Sequence, residues 1–92
     1  MKATLLLRER VYLGTAFVEM VIWRVPRHVP GSRHPFKYSL ALVRYGVCLL
    51  RFDNEAGKGD HRHVGTLEEP YDFSDIETLI RDFRAAIVGL LP

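Results

Sequence analysis

Short apolar, β-permissive stretches separated by turn residues fill most of the first fifty residues, a pattern that predicts strands rather than helices. Ala3–Leu13 is apolar and β-permissive, interrupted by Arg8, Glu9 and Arg10, and Gly14-Thr15 reads as a turn. Across Ala16–Val25, Phe17, Glu19, Val21 and Trp23 fall on one face and Val18, Met20, Ile22 and Arg24 on the other. Apolar side chains occur on both faces, as in a strand inside a sheet. Pro26, Pro30 and Pro35, with Gly31-Ser32, predict a loop over 26–35, because each proline removes a ladder donor. Phe36–Tyr45 and Val47–Asp53 read as a hairpin turning at Tyr45-Gly46. Residues 54–66 are polar, hold three glycines and read as a loop, and Glu68–Phe73 adds a short edge strand. Ser74-Asp75-Ile76-Glu77 has the form of a capping box with Ser74 as the cap. Ile76, Leu79, Ile80, Phe83, Ile87 and Leu90 then recur at helical spacing, predicting one amphipathic helix to about Leu90. The expected fold is α+β: an antiparallel sheet of four to five strands packed against one C-terminal helix.

Ninety-two residues with a hydrophobic fraction of 48% fit one domain, residues 1–92, around one thin core. A core of that size gains stability from a partner or from a second copy, as in a homodimer. No apolar run approaches 18 residues, so no membrane span is expected, and Met1–Arg8 is too short in apolar residues for a signal peptide. The one cysteine, Cys48, cannot form an internal disulfide; in an apolar run it reads as a buried small hydrophobe, and a cytoplasmic location follows.

The net charge of +2 hides an asymmetry. Residues 20–52 carry Arg24, Arg27, Arg33, Lys37, Arg44 and Arg51 and no acid. Residues 53–82 carry nine acids against Lys58, Arg62 and Arg81, so a block of +6 precedes one of −6. Ten of the thirteen basic residues are Arg, whose planar fork suits phosphate. The blocks predict either a nucleic-acid surface beside an acidic one or mutual neutralisation across the sheet.

Candidate chemistry concentrates in Asp53–His63, which holds Asp53, Asn54, Lys58, Asp60, His61, Arg62 and His63. If Asp60–His63 is extended, His61 and His63 share one side, with Asp60 and Arg62 on the other. Two imidazoles on one face suit general acid and base work, or His-x-His metal binding completed by Asp53 or Asp60. Gly57 and Gly59 around Lys58 let backbone approach an anion. There is no cysteine pair, Walker loop, dinucleotide fingerprint or nucleophilic serine elbow, so no cofactor is expected. Without one, these residues suit phosphodiester cleavage in RNA, which supplies its own 2′-hydroxyl nucleophile. Trp23, Tyr38, Tyr45 and Tyr71 are candidates for stacking on bases and equally for the core or the sheet faces.

Phe36-Lys37-Tyr38, Arg51-Phe52-Asp53-Asn54, Gly57-Lys58-Gly59-Asp60-His61-Arg62-His63 and Glu68-Glu69-Pro70-Tyr71 resemble the TumE toxin family, as do Leu5–Arg10 and Pro30–His34. The resemblance spans nearly the whole chain. It implies the toxin half of a type II toxin–antitoxin pair, with a DNA-binding antitoxin of helix-turn-helix type as partner. It implies no particular catalytic mechanism.

The expectation is therefore a toxin acting on RNA as a metal-independent ribonuclease. His61 and His63 serve as acid and base and Asp53 orients one of them; no metal is assigned. Arg51, Lys58, Arg62 and Arg33 hold phosphate. Arg51 and Asp53, on one face of their strand, are also placed to pair with each other. Two alternatives stand beside it. One is a non-enzymatic module that binds nucleic acid or a protein through Arg24, Arg27 and Arg33. The other is a metal-dependent nuclease built on His61, His63 and Asp60 or Asp53.

Overall fold

The computed structural model describes residues 2–55 and 57–91, so Met1, Ala56 and Pro92 of the expected 1–92 domain lie outside the described residues. Six strands are present: β1 (Thr4–Leu13), β2 (Ala16–Arg24), β3 (Phe36–Arg44), β4 (Val47–Asp53), β5 (His61–Val64) and β6 (Leu67–Pro70). They lie in the sheet in chain order, each antiparallel to the next, and helix α1 (Ile76–Val88) follows. The α+β class is as expected, and the count of strands is corrected from four or five to six. The strand missing from the pattern is β5, inside the segment read as a polar loop. Its residues, His-Arg-His-Val, gain their place by pairing with β4 rather than by burying an apolar stripe.

Hairpin geometry follows from the turn residues. Tyr45 (φ 51°) and Gly46 (φ 75°) are both left-handed, as a two-residue turn between right-twisted strands requires. The core lies between one face of the sheet and α1. β2 gives Ala16, Val18, Met20 and Ile22, β3 gives Tyr38, Leu40 and Leu42, and β4 gives Leu50 and Phe52. Leu79 and Phe83 of α1 complete it, with Phe83 edge-on to Phe52 at 5.6 Å. Removing such a ring costs about 3–5 kcal/mol through lost burial and the cavity left behind.

Three further expectations are corrected. Asp75, not Ser74, caps α1: its carboxylate accepts from the Thr78 N–H at 2.7 Å. The helix ends at Val88, two residues short of Leu90. Cys48 is exposed rather than buried, because a register shift in the β3–β4 ladder sets it opposite Val43 on the face without a helix. That open face also carries Phe17, partly covered by the Arg10 guanidinium 4.5 Å from its ring centre. No helix among the described residues is long and apolar enough to cross a membrane.

Candidate functional site

Strands β4 and β5 bring the chemistry together. Their register sets Asp53 opposite His61 and Arg51 opposite His63. Side chains alternate along each strand, so these four project from the open face, while Phe52 and Arg62, also paired, project toward the helix side. The extended reading of Asp60–His63 holds from His61 onward, and the two imidazoles share a side as expected.

His61 is buried, and its ring is fixed from behind. Its Nδ1 lies 2.9 Å from the Gly59 carbonyl oxygen. A carbonyl only accepts, so Nδ1 carries the proton. The opposite nitrogen, Nε2, lies 2.8 Å from Oδ1 of Asp53. That oxygen is buried and lacks a well-formed hydrogen bond among the described residues, so the close approach is a charge contact and not an aligned hydrogen bond. The His63 ring stands edge-on to His61 with centres 4.9 Å apart. One ligand atom from each of Asp53, His61 and His63 falls within 4.8 Å of the others. Glu68 of β6 lies 3.9 Å from a nitrogen of each imidazole. Arg51 is 4.0 Å from Asp53, the pairing anticipated from their shared face, and Lys58 is 3.5 Å from Glu68. The open pocket around these groups has a volume of about 410 Å³ and is walled by Arg51, Lys58 and Gly65.

Asp60 belongs elsewhere. It faces the helix side and accepts three hydrogen bonds: from Ser32 Oγ at 2.7 Å, from His34 Nε2 at 2.7 Å and from the Tyr38 hydroxyl at 2.6 Å. His34 Nδ1 in turn accepts from the Phe36 N–H at 3.2 Å, and its ring stacks on Phe73 with centres 3.7 Å apart. Burial first, and the bond to Asp60 second, push the Tyr38 phenol well above its usual range, so it remains a donor. Asn54, fully buried, carries the β3 pairing one step past the end of β4. Its Oδ1 accepts from the Tyr38 N–H at 3.0 Å, and its Nδ2 donates to the Phe36 carbonyl at 2.8 Å and to Ser32 Oγ at 3.1 Å. Behind this network the loops 26–35 and 54–60 touch backbone to backbone. A Cβ on Gly31 (φ +89°) would lie 2.5 Å from the Gly59 nitrogen.

The remaining expected phosphate ligands separate. Arg62 pairs with Glu69 on the far face. Arg33 lines a second pocket, of about 350 Å³, with His34, Asp60 and Phe73; Lys58 borders both pockets. The charge blocks meet between neighbouring segments at Lys37–Glu55 and along β4 at Arg51–Asp53, each at 4.0 Å. Arg24, Arg27 and Arg33 form no ion pair among the described residues. Glu68 and Ser32 are given no site role by the sequence reading, and Tyr38, His34 and Asp60, which are, bond to one another rather than contacting the cluster. The clue to Glu68 was the hairpin at Gly65-Thr66, which returns it opposite His63.

The family model described as Toxin TumE matches residues 2–91. The chain belongs to the TumE toxin family. Its resemblance to TumE proteins, noted on short motifs, thus extends over nearly the whole chain. No curated protein and no solved structure matches it. For a TumE-family chain, the two segments with most chemistry, Arg51–Asn54 and Gly57–His63, are the two that build the pocket and the network beneath it.

Proposed function

We propose that this TumE-family toxin is half of a type II toxin–antitoxin pair and acts on RNA, breaking a phosphodiester bond in the pocket on the open face of the sheet. The observation that carries the reading is the convergence of Asp53, His61 and His63 within 4.8 Å, beside Arg51 and Lys58. RNA brings the 2′-hydroxyl as nucleophile. The bond from 2′-oxygen to phosphorus forms, the bond to the 5′-oxygen breaks, and a proton moves from the first oxygen to the second. The carboxylate and imidazole cluster is the proton carrier, and His63, whose side chain is 34% exposed, is its outermost ring. His61 has both nitrogens engaged, by Gly59 and Asp53, and acts as a positioning group at the floor. Arg51 and Lys58 offset the charge on the pentacoordinate phosphate. Arg33, across the Lys58 ridge, is suited to a neighbouring phosphate of the same strand.

Toxicity implies an antitoxin partner that neutralises it. The test is growth arrest on induction of the wild-type gene and of variants, with purified protein assayed on RNA. His63→Ala and Asp53→Asn are expected to relieve arrest and abolish cleavage. Full arrest by both variants removes the pocket from the mechanism. Relief of arrest by Arg24→Ala, Arg27→Ala and Arg33→Ala, with His63→Ala still toxic, assigns the effect to binding instead.

A further inference from the structure

We infer that Asp53, His61 and His63 form a binding site for one divalent transition-metal ion of the zinc class, with Glu68 as the adjacent fourth donor. Three observations converge on it. First, the ring orientation of His61 is that of a metal-binding imidazole: Nδ1–H is donated to a backbone carbonyl and the lone pair at Nε2 points into the cluster. Second, Nε2 lies 2.8 Å from a carboxylate oxygen without the alignment of a hydrogen bond. So close an approach needs a positive charge, either a proton on Nε2 or a cation between the two atoms; the missing alignment disfavours the proton, and Oδ1 of Asp53 is buried with no hydrogen bond among the described residues. Third, the donors are two imidazole nitrogens and one carboxylate oxygen, the borderline set that suits zinc-class ions.

The molecule contains its own control. His34 and Asp60 also make a buried His–carboxylate contact, at 2.7 Å, but there Nδ1 accepts from Phe36, so Nε2 carries the proton and donates to Asp60. Every group in that contact is satisfied, and nothing is left for a metal. At the open face the proton on Nδ1 is given to Gly59, and Nε2 and Oδ1 meet with no aligned hydrogen bond between them. Arg51 and Lys58 oppose a cation there, and the carboxylates of Asp53 and Glu68 beside them offset that opposition. A zinc with bonds of about 2.0–2.1 Å holds its ligand atoms roughly 3.3 Å apart, so loading draws His63 inward and eases Asp53 and His61 apart by less than about 1 Å. When bound, such an ion would lower the pKa of coordinated water toward neutrality, and that water would take over the proton-carrying role given to His63 in the metal-free pocket, whose ring nitrogen then serves as a ligand. The use of the ion rests on that reading; the binding does not.

The test is made without RNA, so that failure of the site and failure of the RNA reading are separate results. Chelator-stripped, tag-free protein is titrated with zinc chloride by calorimetry and with cobalt(II) by visible absorption. One equivalent is expected to bind, with cobalt bands of low-coordinate nitrogen–oxygen ligation and a rise in Tm. His63→Ala and Asp53→Asn, each checked for folding by circular dichroism, are expected to weaken binding at least ~10-fold, the scale on which even outer-shell changes act. His28→Ala, at an exposed histidine off the cluster, is expected to leave it unchanged. No heat and no cobalt band, undiminished binding in folded His63→Ala or Asp53→Asn, or loss of binding in His28→Ala overturns the inference.

Discussion

Nε2 of His61 lies 2.8 Å from Oδ1 of Asp53, and the ring is turned to that carboxylate because its other nitrogen donates to the carbonyl of Gly59 at 2.9 Å. His34 makes a contact of nearly the same length to Asp60 with the reverse tautomer. Long-range proton–nitrogen correlation spectra of metal-free protein are expected to report the proton on Nδ1 in His61 and on Nε2 in His34. The same tautomer in both rings would remove the distinction between the reactive pair and the structural one.

That distinction separates two substitutions of one residue type. His63→Ala, at a half-buried ring on the open face, is expected to abolish toxicity and leave Tm within a degree or two of wild type. His34→Ala removes a donor to buried Asp60 and the ring stacked on Phe73, and is expected to cost roughly 1–3 kcal/mol. Thermal melts beside the growth assay compare them; a large loss of stability in His63→Ala would mean that its ring supports the sheet.

Asn54 is expected to be a structural clamp. Asn54→Ala leaves the Tyr38 N–H and the Phe36 carbonyl unpaired inside the protein, for about 2–4 kcal/mol. Asn54→Asp replaces a donor by an acceptor facing the Phe36 carbonyl and is expected to be at least as damaging. Urea unfolding curves measure both. A midpoint unchanged in either variant contradicts the assigned hydrogen bonds.

How far the sequence carried these conclusions depends on the residue. Strands β1 to β4 and the helix were legible because their apolar side chains repeat at the period of the element they form. β5 was not, since His61, Arg62 and His63 hold their strand by backbone pairing to β4 and carry polar side chains on both faces. Grouping His61 with His63 needed only alternation along an extended chain. Asp53 is named beside the histidines from sequence for the acid–base reading, but excluding Asp60 from a metal set needs the β4–β5 register, which pairs Asp53 with His61 while Asp60 turns to Ser32, His34 and Tyr38. The shift of the cap from Ser74 to Asp75 has a similar cause: both residue types cap helices, and the first helical residue decides between them.

The Asp75 cap carries a pH dependence of known sign. The backbone hydrogen bond from Thr78 holds its carboxyl below the usual value. A depressed folded-state value stabilises the fold above the unfolded value, near about 4, and that contribution is lost as pH falls through the folded value. The Tm difference between wild type and Asp75→Ala is therefore expected to be largest at neutral pH and to shrink below about pH 4. A difference that stays constant into acid would mean that the charged cap contributes nothing.

The pocket's action on RNA is tested most directly by the ends it leaves. Purified protein is incubated with an RNA oligonucleotide and with the same sequence carrying 2′-deoxyribose throughout, with and without added zinc or manganese, and the products are resolved by mass. Cleavage of the ribose strand alone, leaving 2′,3′-cyclic phosphate ends and vanishing in His63→Ala, is the predicted result. Equal cleavage of the deoxy strand, or an intact ribose strand under every metal condition with protein that arrests growth, would contradict it.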